Sequence, residues 1–345
     1  MTPRAAFADQ AASCRALGSE LTARVVGRLG AALAPEQGAV ARRVLDWPGD
    51  ASSRGESVPL RLAGALHHLV LSGRAPDLAA AYAAGEPAVP VLLAAVADHE
   101  ALIMDWLDSP PQTNEVGRSA VLIGTARFLA ELHPRPFDVL ELGASAGLNL
   151  NFHRYRLVPD RGSTPDPGIF SQGEAMLSPV WRGALPAAPF DVVAAAGVDL
   201  RPVDPVRDEA RLLAYCWADQ AARLARLRAA LAIARAHPVA VAAGDAAGWL
   251  RERLARPGTG RLRLVYHTVA WQYFLPATQA DCEASLQQAG AAASADAPLA
   301  HLSMEADGGN GAALHLRLWD GAARDWSLGR ADFHGRWVDW APRPL

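Results

Sequence analysis

The sequence contains no lysine: all 33 of its cationic side chains are arginine. That absence excludes Schiff-base and pyridoxal-type chemistry, the phosphate-binding lysine of P-loop proteins and the nucleotide lysine of protein kinases, because each needs an ε-amine. Cysteine is scarce as well. Cys14, Cys216 and Cys282 lie far apart with no C-x-x-C pair, so neither a metal site nor a disulfide framework is expected. No unbroken apolar run reaches the roughly 18 residues of a membrane span, and the stretch Met1-Thr-Pro-Arg-Ala-Ala-Phe-Ala-Asp9 lacks the apolar core of a secretion signal. A formal charge of −3 and a pI of about 6.4 leave no basic stripe for a polyanion; nucleic-acid-binding domains typically exceed a pI of about 9. The expectation is a cytoplasmic protein with a small-molecule substrate and neither nucleic acid nor membrane as partner.

What is present is a long, apolar chain of 345 residues, 51% hydrophobic and 20% charged. A chain of this length buries about 75% of its unfolded surface. Up to about Pro111 the apolar spacing is helical, as in Leu62, Leu66, Leu69, Val70 and again in Leu92, Leu93, Val96, Ile103. Thr113-Asn114-Glu115 offers N-cap chemistry for another helix running to about Leu132. Four short apolar runs follow: 137–142, 191–198, 239–243 and 262–266. One long helix, with Leu213, Trp217, Leu224, Leu227 and Leu231 on its face, is expected between the second and third. Continuous apolar strands alternating with helices indicate a parallel sheet covered on both faces. Toward the end, His301–Glu305, Ala313–Trp319 and Asp332–Trp340 are separated by the turn signals Asp307-Gly-Gly-Asn-Gly and Asp320-Gly, which indicates an antiparallel edge. The expected fold is therefore α/β. A helical N-terminal domain (1–112) precedes a Rossmann-like, mainly parallel sheet (113–345), with helices on both faces and an antiparallel C-terminal edge. Residues 154–189 carry six prolines and little periodicity and are expected to be an insertion or lid.

Chemistry concentrates where these strands end. Glu141-Leu-Gly-Ala-Ser-Ala-Gly147 is a small-residue turn between a strand and a helix expected to open near Gly147. Such a turn lies where open parallel sheets bind ligands. The second strand ends at Gly197-Val-Asp199, which places a carboxylate where it can bridge the hydroxyls of a ribose. The third ends at Gly244-Asp245-Ala246, where an acid can accept from an adenine amino group, and the fourth at Tyr266-His267-Thr268. Acids at successive strand ends suit a cofactor with ribose and adenine but no phosphate. His267 is the candidate general base, because imidazole titrates near neutrality. Asn114 and Arg118 are candidates to face the crevice, Arg118 against a cofactor carboxylate. Asp199 and Asp245 can equally cap the helices that follow them. Arg154, Arg156 and Arg161 are candidates for clamping an acidic substrate, or simply a solvated face.

These residues resemble the class I methyltransferase pattern, with Glu141–Gly147 similar to its first motif, Ser145 standing at the usual middle glycine, Gly197–Asp199 similar to its second and Gly244–Ala246 to its third. The resemblance covers about residues 116–345 and implies S-adenosylmethionine as cofactor, lined by Glu141, Gly143, Ala144, Ser145, Gly147, Asp199, Asp245 and Ala246. Asp199 follows Gly143 by 56 residues, so the proline-rich insertion falls between them. A second resemblance spans almost the whole chain. Pro59–His68, Gln112–Arg118, Glu141–Asn149, Gly197–Pro202 and His334-Gly-Arg-Trp337 are similar to the bacterial family of domain of unknown function 2332. That family implies no activity.

Two other function classes remain open on the same residues. Gly143-Ala-Ser145-Ala-Gly147 also matches G-x-S-x-G, the nucleophile elbow of α/β-hydrolases, with Asp199 or Asp245 as acid and His334 as base. A non-catalytic or nicotinamide-binding Rossmann module is the other. The elbow normally follows several strands, whereas the sequence before Asp138 is helical, which favours the methyltransferase-like pattern.

Overall fold

A computed structural model describes residues 1–160, 174–256 and 258–345. By contacts the chain divides into two compact units, one comprising Met1–Thr113 with Arg207–Ala225 and the other Asn114–Val206 with Arg226–Leu345.

The first unit is helical: α1 (Pro3–Ala16), α2 (Glu20–Ala32), α3 (Ala39–Leu45), α4 (Val58–Leu71), α5 (Pro76–Ala83), α6 (Val89–Asp98) and α7 (Glu100–Leu107). Proline occupies the first turn of α1, α4, α5 and α6, where it sacrifices no intrahelical hydrogen bond. Phe7, Val26, Leu29, Leu62, Leu66, Leu69, Leu92 and Ile103 form its core. Arg61 is buried there, its guanidinium donating to the Glu56 and Leu107 carbonyls at 2.7 Å each.

The Arg207–Ala225 segment, which the sequence pattern left with the sheet, belongs by contacts to this helical unit. The single helix expected through Leu213, Trp217 and Leu224 is also two. Helix α9 (Glu209–Ala214) ends in turns at Cys216 and Gln220 before α10 (Ala221–Ala236) begins. The break has a cause. Tyr215 is buried in the helical core, and Asp219 takes the Ser19 hydroxyl at 2.5 Å and the Leu21 N–H at 2.9 Å, an anion at the start of α2.

In the second unit, α8 (Ser119–Leu132) follows a 3₁₀ turn at Val116–Arg118 in which the Glu115 side chain accepts from Gly117 N–H. The strands are β1 (Phe137–Leu142), β2 (Arg156–Leu157), β3 (Met176–Leu177), β4 (Val180–Arg182), β5 (Val192–Asp199), β6 (Ala240–Ala243), β7 (Leu262–Thr268), β8 (Leu299–Ala306), β9 (Ala312–Trp319), β10 (Ala323–Ala331) and β11 (Trp337–Pro344). Helix α11 (Ala246–Leu254) follows β6 and α12 (Pro276–Ala291) follows β7. Among the described residues nine strands form one sheet, in the order β4-β11-β10-β9-β8-β7-β1-β5-β6. Strands β6, β5, β1, β7 and β8 are mutually parallel, and β9, β10 and β11 continue antiparallel. The antiparallel edge has one more strand than the sequence pattern indicated. Asp332–Arg336 is a turn held by the Asp332 side chain, not part of the last strand.

Alternation along the strands separates two faces. Leu140, Leu142, Val265, Leu299 and Trp319 pack beneath α11 and α12 with Leu250, Cys282 and Leu286. On the opposite face Tyr266 meets Phe152, and Phe128 of α8 meets Trp326 and Trp340 edge-on. The helix expected from Gly147 is a 3₁₀ segment, Leu148–Arg154, instead of an α-helix. Its buried asparagines bond outside the segment: Asn149 accepts from the Ser119 hydroxyl, and Asn151 donates to the His237 carbonyl. The Tyr155 hydroxyl bonds back to the Leu148 carbonyl, and β2 begins immediately after.

Of the proline-rich region, residues 161–173 (Arg161 among them) lie outside the described residues. Its flanks form the two-stranded β2–β3 ladder, and β4 joins the edge of the large sheet beside β11. Arg156 pairs there with Glu174.

Candidate functional site

The chain runs outward from β1 through β5 to β6, then returns to the other side of β1 as β7. This reversal puts a switch point between β1 and β7, and crevices that bind ligands form outside the carboxyl ends of strands at such points.

The turn leaving β1 is unusual in its backbone. Gly143, Ser145 and Gly147 all have positive φ, at 74°, 51° and 69°. Its amides are largely consumed by the protein: Gly143 and Ala144 donate to the Val198 carbonyl, Gly147 donates to Ala144, and Leu148 donates to Asn114 Oδ1 at 2.8 Å. Ser145 N–H donates to Asp199 Oδ2 at 2.8 Å, while Asp199 Oδ1 accepts from Arg201 N–H at 2.8 Å. The Ser145 hydroxyl is buried and has no partner. Asn114, Gly143, Ala144, Ser145, Gly147 and Asp199, which the sequence singles out separately, are thus joined by hydrogen bonds around this turn.

Glu141 lies beneath that turn, 2% exposed, with the Tyr266 hydroxyl donating to it at 3.4 Å. Burial pushes its carboxyl well above the ordinary glutamate range, against the opposing influence of the Tyr266 hydroxyl and the Arg118 charge. Arg118 also ties the end of β7 to the turn after β10, donating to the Thr268 carbonyl at 2.7 Å and to the Phe333 carbonyl at 2.9 Å.

Asp245 caps α11, Oδ1 accepting from Ala247 and Gly248 N–H, and Oδ2 takes the Thr278 hydroxyl at 2.8 Å. Ala246 is buried in the first turn of that helix. Beside the cap the space is open: a Cβ at Gly244 would meet no atom within 4 Å.

His267, at the end of β7, is 2% exposed and faces the α11–α12 side of the sheet. Its Nδ1 lies 2.7 Å from Glu305 Oε1, and Trp271 stacks on its ring at 4.6 Å and 18°. The same Glu305 oxygen accepts from Ala270 N–H at 2.9 Å and Trp271 N–H at 3.1 Å, while Oε2 is buried without a partner. Between Thr268 and Ala270, Val269 has a φ of 53°. Ala270 then closes on the β1 turn, since a Cβ on Gly143 would fall 2.6 Å from the Ala270 Cβ. His301 lies 5.1 Å from His267, ring to ring, and its Nδ1 accepts from Arg317, which is paired with Glu283. Burial holds His301 well below the ordinary histidine range.

Glu305 and His301 were missed in the sequence although a signal was present. In His301-Leu-Ser-Met-Glu305 polar residues alternate with apolar ones, so a strand buried on both faces carries a polar stripe toward His267. Among the described residues no group of His, Cys, Asp and Glu could hold a metal ion, and no helix is long and apolar enough to cross a membrane.

The class defined by this arrangement is an α/β protein whose mainly parallel sheet reverses its winding between β1 and β7. Residues 4–340 match the family model described as an uncharacterized protein conserved in bacteria, DUF2332, and the chain belongs to that family. Neither the curated proteins nor the solved structures compared with it gave a match.

Proposed function

We propose that the crevice at the carboxyl ends of β1, β5 and β6 binds S-adenosylmethionine and that the protein transfers its methyl group to a small molecule. The carrying observation is the Ser145–Asp199 bond, which brings an anionic carboxylate under the β1 turn. A carboxylate offers about four lone-pair positions, and two of those on Asp199 are used by backbone N–H groups, which leaves acceptors for the ribose hydroxyls. The amides of Gly143, Ala144, Ser145, Gly147 and Leu148 are all bonded to protein acceptors. A pyrophosphate needs such donors free at a helix N-terminus, so the turn suits a cofactor without phosphate better than a dinucleotide. In this reading the adenine is seated beside Gly244 and Asp245, where a Cβ on Gly244 would meet no neighbouring atom.

The cofactor supplies an electrophilic methyl on sulfur. This chain's part is to position acceptor and cofactor in line and to take a proton from the acceptor at His267 Nε2. Titration calorimetry with S-adenosylhomocysteine, with NAD as the control ligand, tests the reading. Micromolar binding of the first alone supports it, and binding of neither defeats it.

Ser145, with its left-handed backbone and unpartnered hydroxyl, favours a second reading as a serine hydrolase. Here Asp199 bonds the backbone of Ser145 and Asp245 caps a helix. Labelling by a fluorophosphonate, lost in Ser145→Ala, would establish this reading.

A further inference from the structure

We infer that Glu305 is the positioning residue of this site: it fixes His267 in the tautomer whose Nε2 carries the lone pair, and it fixes the turn that seats Ala270 against Gly143. The inference rests on the role proposed above for His267. A carboxylate only accepts, so the 2.7 Å contact makes His267 Nδ1 the donor and leaves Nε2 as the basic nitrogen. The stacked Trp271 ring opposes reversal of the imidazole.

The same oxygen holds the backbone. Val269 is β-branched with a φ of 53°, a conformation such residues rarely adopt. Strained positions persist where surrounding bonds over-determine them, and they concentrate at functional sites. Here the bonds are those from Ala270 and Trp271 N–H to Glu305 Oε1, with Val269 N–H donating to the Met304 carbonyl at 2.8 Å. One acid from β8 therefore sets both the ring of His267 on β7 and the loop that meets the β1 turn.

The test is long-range ¹H–¹⁵N correlation spectroscopy of the full ¹⁵N-labelled chain at pH 8, with His267 assigned by its loss in His267→Gln. The expected wild-type pattern is a protonated Nδ1 and a bare Nε2. Glu305→Gln, whose amide oxygen can take the same donors, should retain it, and Glu305→Leu should lose it. A wild-type His267 protonated on Nε2, or an unchanged pattern in Glu305→Leu, overturns the inference. If Glu305→Leu does not fold, the same readout is taken on Glu305→Leu combined with Val269→Gly, which removes the strain. Titration with S-adenosylhomocysteine is run in parallel. Absent binding to the wild type defeats the cofactor reading while the tautomer result stands by itself.

Discussion

Asp199 Oδ2 accepts a 2.8 Å hydrogen bond from the N–H of Ser145, although 54 residues separate the two in sequence. The bond exists because β1 and β5 are parallel neighbours in register, with Glu141 opposite Gly197 and Leu142 opposite Val198. Both strands therefore end on the same side of the sheet, and the acid of the second strand supports the turn of the first.

Replacing that acid tests the cofactor site. Asp199→Ala should weaken S-adenosylhomocysteine binding by about 1–3 kcal/mol, the usual cost of losing a hydrogen bond to a charged group, or roughly fivefold to 150-fold in Kd by calorimetry. Asp199→Asn keeps an acceptor for Ser145 and should lose less. An unchanged Kd in Asp199→Ala would remove the carboxylate from the cofactor's contacts.

Gly197 offers a steric probe of the same junction. A Cβ there would fall 2.6 Å from the Ala144 Cβ. Gly197→Ala should destabilise the fold by about 1–3 kcal/mol, as overpacking does, and displace the β1 turn. Urea unfolding would report the first effect and cofactor titration the second.

Glu141 should give the fold a distinctive pH dependence. Its folded carboxyl titrates above the unfolded one because it is buried. The folded state thus binds more protons above the unfolded pKa of about 4.3, and stability must fall with rising pH until the folded group titrates. Glu141's contribution is complete below the unfolded pKa and is lost through the folded one. Glu141→Gln, neutral throughout, should gain stability relative to the wild type as pH rises from 5 to 8. A difference independent of pH in urea midpoints would contradict the buried acid.

Thiol chemistry should be silent. Cys14, Cys216 and Cys282 are all buried, and burial pushes the Cys14 thiol up to about 11 and the Cys282 thiol up to about 12. At pH 8 the thiolate needed for disulfide exchange is scarce. Ellman's reagent should therefore react fully only after denaturation, and rapid reaction of the native chain at Cys14 or Cys282 would contradict their burial.

The parallel core was legible because its strands are continuous apolar runs, and the turn at Gly143–Gly147 stood out as small residues between a strand and a helical pattern. Two kinds of feature were not legible. The α9–α10 break is set by long-range demands on Tyr215 and Asp219, which local periodicity does not encode. The Glu305–His267 pair depends on the parallel register of β7 and β8, in which His267 lies opposite Ser303. Before that pairing is known, the polar stripe on β8 has no partner. The sequence allows Asp245 either ligand contact or a helix cap, and its geometry displays the cap.

The return of Arg207–Ala225 to the helical unit has a consequence for biosynthesis. As the chain emerges, α1–α7 are complete more than a hundred residues before Tyr215 and Asp219 arrive, so their core waits with an aromatic gap and α2 without its anion. A ribosome releasing residues in order must make β1 and β5 before the helical unit can close. The two units are spliced in sequence, and a cut after Thr113 would yield an N-terminal fragment that never receives its last helix.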